Sequence, residues 1–188
     1  MIIGLTGRIS SGKSLLTDFL KEKSFVYLTL SKFLKDIAVK RDIVLERKAL
    51  QDLGNELRKT DGNEVLAKYV VDEIKKNSYK NVVIESIRNP YEVKYLRENL
   101  DDFYLISFDA PREKRFQWHR ERKKSIDPLT FNSFVEMDDK DFGIGENESG
   151  QGVGKCMELA DYHLINDGSL EEIQQKINEI YDLISSLK

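Results

Sequence analysis

The sequence predicts an α/β fold, a parallel sheet of about five strands with helices on both faces. Three observations carry this expectation. Short apolar runs alternate with stretches of helical hydrophobic spacing along most of the chain. One run, Val82-Val83-Ile84, is apolar at successive positions, as a strand covered on both faces should be. The 188 residues, 40% hydrophobic and 34% charged, suit one domain of about 150 residues or slightly more with a buried core, and argue against wholesale disorder.

Taken in order, residues 1–5 are apolar, β-branched and closed by Gly7, which makes a first strand. Residues 13–23 follow as a helix, with Leu15, Leu16, Phe19 and Leu20 at helical spacing. A second strand spans 25–30, and Ser31 then caps a helix with Phe33, Leu34 and Ile37 on its apolar face. Helical patterns at 46–57 and 62–76 are separated by the breaker pair Asp61-Gly62. The Val82 strand ends in Glu85, and Pro90 stands near the start of a helix over 92–99. Residues 104–108 form another strand, 112–124 a strongly basic helix, 162–165 a late strand and 170–187 an amphipathic closing helix. Between about 125 and 160 the rhythm breaks. That stretch holds Gly143, Gly145, Gly150, Gly152 and Gly154 of the 11 glycines, with the acidic run Glu136-Met137-Asp138-Asp139, and reads as a mobile insertion.

Thirty Lys and Arg against 33 Asp and Glu give a net charge of −3, which argues against a protein that coats nucleic acid. The single cysteine, Cys156, excludes an internal disulfide framework. No apolar run approaches the roughly 20 residues of a spanning helix, and the first residues, MIIGLTG, lack signal-peptide features. The expectation is a soluble cytoplasmic protein, monomer or homodimer, with no membrane and no nucleic-acid polymer as partner. The net charge hides segregation, because basic residues crowd 112–124 and acidic ones crowd 136–141.

Gly7-Arg8-Ile9-Ser10-Ser11-Gly12-Lys13-Ser14 matches G-x-x-x-x-G-K-[ST], between a strand and a helix. Gly7 and Gly12 let the loop curl so that successive backbone N–H groups, with Arg8, Ser10, Ser11 and Leu15 among the residues involved, face phosphate oxygens. The helix starting near Lys13 adds its positive dipole end. Lys13 supplies charge to the β- and γ-phosphates, and the Ser14 hydroxyl is a ligand for Mg2+. These residues predict nucleoside triphosphate binding on a three-layer P-loop NTPase fold with an inserted lid. Gly150-Gln151-Gly152-Val153-Gly154-Lys155 fails the same pattern: Ser149 stands where the first glycine is needed and Cys156 replaces the hydroxyl, so it reads as a hinge.

A guanine-reading N-K-x-D segment is absent, which excludes a GTPase of the usual kind, and the chain is too short for large AAA-type machines. Glu85 at a strand tip can hold a Mg2+-bound water, and Arg88 three residues later can fork onto a phosphate of a second substrate. With Ile87-Arg88-Asn89-Pro90, Glu92-Val93 and Leu96-Arg97, this segment resembles the nucleoside monophosphate kinases and, more closely, a group of small kinases. That group includes dephospho-CoA kinases, deoxynucleoside monophosphate kinases and the kinase-like half of some deaminase fusions. Where the group has Asp, this chain has Glu85.

The resemblance implies ATP with Mg2+, transfer to a nucleoside or deoxynucleoside monophosphate or to dephospho-CoA, acceptor-side helices over about 31–78 and a lid over about 112–160 within one domain, 1–188. On it, Arg58, in Leu50-Gln51-Asp52-Leu53-Gly54-Asn55-Glu56-Leu57-Arg58, contacts the acceptor phosphate with Arg88. Arg115, Arg120 and Arg122, after Asp109-Ala110-Pro111-Arg112, close over the transferring phosphoryl group, Arg120 and Arg122 as catalytic residues with Lys13. Asn166 and Gly168, in Leu164-Ile165-Asn166-Asp167-Gly168-Ser169, border the adenine. Glu85 and Ser14 serve the metal. Asp36 is a candidate base for a hydroxyl acceptor, and a regulator that binds nucleotide without transfer is the rival reading. Asp127-Pro128-Leu129-Thr130 is similar to the deaminase fusions, but one cysteine cannot form a deaminase zinc site. His119 and His163 are too few for a conventional metal centre, and His163 is expected in the core.

Overall fold

The computed structural model describes residues 1–122 and 130–187. Five strands, β1 (Ile2–Gly7), β2 (Val26–Thr29), β3 (Val82–Glu85), β4 (Phe103–Asp109) and β5 (Tyr162–Ile165), form one parallel sheet in the order β2-β3-β1-β4-β5. Parallel pairing needs a crossover between successive strands, and helices supply it. They are α1 (Lys13–Glu22), α2 (Leu30–Lys40), α3 (Arg47–Asp61), α4 (Val65–Asn77), α5 (Pro90–Asn99), α6 (Arg112–Glu121), α7 (Phe131–Phe142), α8 (Val153–Glu158) and α9 (Leu170–Ser186).

β1 is central and every one of its residues is buried. Its side chains alternate between two cores, because successive residues of a strand face opposite ways. Ile3 and Leu5 join Val83, Ile106, Phe108 and Leu164 beneath Leu16 and Leu20 of α1 and Ile173, Ile177 and Ile184 of α9. Ile2 joins Val82, Ile84 and Leu105 beneath Val70 and Ile74 of α4, Val93 and Leu96 of α5, and Cys156 of α8. Each such fully buried aliphatic side chain contributes about 1.5–3 kcal/mol, so the three layers are held by apolar burial on both faces.

The chain steps from β1 to opposite sides of the sheet, with β3 on one flank and β4 on the other. That reversal opens a crevice at the carboxyl ends of the strands, where open α/β sheets bind ligands. α5 starts there with Asn89 as cap and Pro90 in its first turn. The Asn89 side chain accepts from the Tyr91 N–H at 3.0 Å, while Glu92 reaches back to the Asn89 N–H at 3.0 Å.

The structure differs from the sequence expectation in four places. α2 begins at Leu30 with Thr29 as the capping position, and Ser31 lies in the first turn, where Thr29 and Ser86 hydroxyls engage it. The described part of the expected insertion is not an irregular loop: it holds α7 and α8, and Phe134, Asp138 and Cys156 are fully buried. The basic helix α6 runs to Glu121, whereas residues 123 and 124 of its expected span, and 125–129 of the insertion, lie outside the described residues. His163 is exposed on β5, its Nδ1 2.7 Å from the Ser107 hydroxyl, and is not a core residue.

No helix among the described residues is long and apolar enough to cross a membrane. Cys156 is a free, fully buried thiol whose pKa burial raises, with the Glu92 charge as the next cause. It is therefore expected to resist alkylation at neutral pH in the folded protein and to react fully in denaturant. Thiol labelling across a urea titration measures this, and rapid labelling of the native protein would contradict the packing of α8.

Candidate active site

The loop between β1 and α1 forms the site floor. Gly7 sits at φ +126°, and a Cβ there would run into the Phe108 carbonyl oxygen. Gly12 sits at φ +104°, where a Cβ would lie 2.5 Å from Asn166 Nδ2. Only glycine meets both demands, conformational and steric. Ser10 takes φ +58° and places its hydroxyl 3.2 Å from His119 Nδ1 on α6. Ser11 is fully buried, and its hydroxyl finds no hydrogen-bond partner among the described residues. No acidic residue occupies the first turn of α1, so nothing there competes with an anion for the helix N-terminus.

Lys13 folds back over this loop and donates to the Gly7 and Arg8 carbonyls at 2.8 and 2.7 Å. Burial, and then the neighbouring Arg88, pull its ammonium down to about 8, so it remains mostly charged at neutral pH. Ser14 is exposed beside it, and Leu15 is half-buried against the α1–α9 core, its N–H bonded to the Gly12 carbonyl at 2.9 Å.

Glu85 ends β3 beside the loop, one oxygen on each of two donors. Thr17, one helical turn after Ser14, donates to Oε1 at 2.6 Å, and Tyr27 of β2 donates to Oε2 at 2.9 Å. Burial, and next the Glu85 charge, push the Tyr27 phenol up, which keeps it a donor. The hydroxyl of Ser14 and the carboxylate of Glu85 are hard oxygen donors of the kind Mg2+ takes. Among the described residues no cluster of three or more His, Cys, Asp or Glu could hold a metal ion. The donor chemistry of Ser14 and Glu85 is what fits Mg2+ carried in with a nucleotide, an ion that takes the rest of its shell from water and phosphate.

The crevice is a cleft of about 790 Å3 that brings Lys13, Glu85, Arg88, Arg122, Arg58 and Asp36 to one wall or another. Leu34 of α2, Leu45 of the α2–α3 connection and Leu50 of α3 supply an apolar side. Arg88 is half-exposed, with Nη1 3.6 Å from Asp141 of α7; with its amide oxygen turned toward Arg88, Gln151 accepts from Nη1 at 3.0 Å. Arg58 is buried, and its main partner is protein: Nη2 donates to Glu92 Oε1 at 3.3 Å, while Glu92 Oε2 accepts the Arg88 and Asn89 N–H groups at 2.9 and 3.0 Å. Arg58 thus braces the loop that carries Arg88.

The arginines of α6 divide. Arg115, expected to meet ATP, is buried with every nitrogen engaged: Nε to the Ala110 carbonyl, Nη1 to the Ile9 carbonyl at 3.1 Å, and Nη1 and Nη2 to Asp138 at 2.6 and 2.9 Å. It touches the phosphate loop through Ile9, and each of its three nitrogens is held by a protein acceptor. Arg120 is exposed, set against the Phe116 ring at 5.8 Å and not among the cleft residues. Arg122 lines the cleft. Arg8 turns out of the loop to Asp138 at 3.0 Å and stacks on Phe142 at 3.5 Å. Asn166 is buried, its amide donating to the Ser11 carbonyl at 3.2 Å, which fixes the loop from below. Gly168 leaves room for Glu172, whose carboxylate caps α9 with Ser169.

Sequence reasoning gave no site role to Tyr27, His119, Gln151 and Asp141 at the cleft, to Thr17 beside Glu85, or to Asp138 behind the phosphate loop. Only the acidic run signalled any of them, and a charge run by itself reads as a solvated face.

No protein-family model matches the chain. A UPF0200 protein of Methanoregula boonei is 29% identical over 187 residues, covering 100% of this chain and 97% of that protein. A UPF0200 protein of Methanothermobacter thermautotrophicus is 27% identical over 180 residues, covering 96% and 88%. Among solved structures, shikimate kinase from Bacteroides thetaiotaomicron superposes with a TM-score of 0.62 at 13% identity over 98% of each chain. Shikimate kinase from Acinetobacter baumannii in complex with shikimate gives 0.59 at 17% identity, over 100% of this chain and 94% of that one. With five parallel strands in one sheet and helices on both faces, the chain has the fold of these small P-loop kinases.

Proposed function

We propose that the protein transfers the γ-phosphoryl group of ATP to a nucleoside or deoxynucleoside monophosphate. The observation that supports this most is one cleft that gathers Lys13, Glu85 and Arg88 together with an apolar wall. An arginine fork suits an acceptor phosphate, and Leu34, Leu45 and Leu50 suit the flat apolar face of a base. An oxygen of the acceptor phosphate attacks the γ-phosphorus as its bond to the β,γ-bridging oxygen breaks, and ADP leaves. Lys13 and Arg122 neutralise charge on the transferring group, and the loop N–H groups from Gly7 to Ser14 hold the donor phosphates. Mg2+, served by Ser14 and Glu85, supplies further charge neutralisation on the nucleotide. Asn166 and Gly168 border the donor base in this reading. Asp36 on the cleft wall favours a second reading, in which it accepts a proton from a hydroxyl acceptor such as dephospho-CoA or shikimate.

The test is ADP release by purified protein with MgATP against the common (deoxy)nucleoside monophosphates, dephospho-CoA and shikimate, with the product identified. At least one monophosphate is expected to give a diphosphate. ADP release with dephospho-CoA or shikimate alone would shift the acceptor class, and tight ATP binding with no active acceptor would leave a nucleotide-binding regulator.

A further inference from the structure

We propose that Tyr27 is a positioning residue for the metal side of the site, fixing the Glu85 carboxylate through its phenol hydroxyl. The inference rests on the reading of Glu85 as the carboxylate that serves a nucleotide-bound Mg2+.

Glutamate has one more freely rotating bond than aspartate, so a glutamate at this strand end starts with more conformations to lose before its oxygens are set. The structure removes that freedom from two sides. Thr17 of α1 holds Oε1 at 2.6 Å and Tyr27 of β2 holds Oε2 at 2.9 Å, so each oxygen is tied by one hydroxyl and keeps lone-pair capacity toward the cleft. The two donors come from different elements, α1 and β2, and together they restrict the carboxylate plane.

The register explains why Tyr27 can do this. β2 pairs with β3 so that Thr29 is opposite Glu85 and Tyr27 opposite Val83. The tyrosine must reach along the sheet edge, and its length places the hydroxyl at the carboxylate. β2 is an edge strand and Tyr27 is 39% exposed, so water could satisfy this hydroxyl at no cost to the fold. Its ring also lies under the Lys21 ammonium at 4.5 Å, a contact that phenylalanine would keep. The hydroxyl is thus separable from the packing, and what it adds is orientation of Glu85.

The test compares ATP affinity in excess Mg2+ with affinity in EDTA, for the wild-type protein, Tyr27→Phe, Thr17→Val and Glu85→Gln, with thermal midpoints alongside. Glu85→Gln should lose most of the gain that Mg2+ gives. Tyr27→Phe should lose about fivefold of it, the effect of one hydrogen bond, with EDTA affinity and midpoint unchanged. A side chain with a merely structural role would lower both affinities together. If Tyr27→Phe keeps the full Mg2+ gain while Glu85→Gln loses it, the positioning role is wrong and the metal reading stands. If Glu85→Gln also keeps the gain, or the wild-type protein shows none, the metal reading itself fails and the inference falls with it.

Discussion

Lys13→Ala is expected to lower kcat/KM for phosphoryl transfer by about 10²- to 10³-fold, the loss typical of removing one charge-stabilising donor from a preorganised site. The ammonium donates to the Gly7 and Arg8 carbonyls, 2.8 and 2.7 Å away. Those carbonyls hold it beside the place where phosphate charge arrives, so little reorganisation is needed when a nucleotide binds. The Arg8 side chain points away to Asp138 and Arg115 is sequestered, so neither can substitute. Lys13→Arg should not rescue, because a planar guanidinium cannot follow a point ammonium into a cradle built of two carbonyls. The thermal midpoint should move little, since α1 and its core residues Leu16 and Leu20 are untouched. Turnover within a few-fold of wild type, at an unchanged midpoint, would remove the phosphate loop from the reaction.

What could be read from the sequence was what depends on neighbours along the chain. Gly7, Gly12, Lys13 and Ser14 sit within eight residues, and their roles follow from one turn between a strand and a helix. The alternation of apolar runs with helical patterns likewise gave the sheet and both its covering layers. The residues that were missed are joined across long stretches. Tyr27 meets Glu85 from 58 positions away, which only the β2–β3 register decides. Arg115 and Arg120 lie on the same basic helix, and nothing local says which turns inward. Phe134 and Asp138, on a helix whose approach the sequence did not show, draw Arg115 into the core and leave Arg120 at the surface.

Asp138→Ala is expected to be among the most destabilising substitutions in the chain. The carboxylate is fully buried and takes two bonds from Arg115, one from Arg8 at 3.0 Å, and the Arg112 guanidinium at 3.6 Å. Desolvating four charged groups is costly, so the cluster's net contribution is modest while it is intact. Removing its only fully buried anion is different, because Arg115 would remain inside with only the half-exposed Asp109 carboxylate, 3.9 Å from its Nε, as counter-charge. Breaking such a buried pair costs about 3–5 kcal/mol, against a typical total of about 5–15. At a slope near 2 kcal/mol per molar urea, the unfolding midpoint should fall by about 2 M. The loss has a local signature as well. α7 is held by this cluster and by Phe134, which packs against Phe116 and His119 at ring distances of 5.5 and 5.1 Å. Amide exchange should therefore rise in α7 before it rises in α1 or β1. The phosphate loop should loosen too, because Arg115 holds the Ile9 carbonyl and Arg8 would lose its buried partner. ATP affinity should then fall even where most of the protein remains folded. An unchanged urea midpoint together with unchanged exchange in α7 would show that the acidic helix is not what fastens this side of the site.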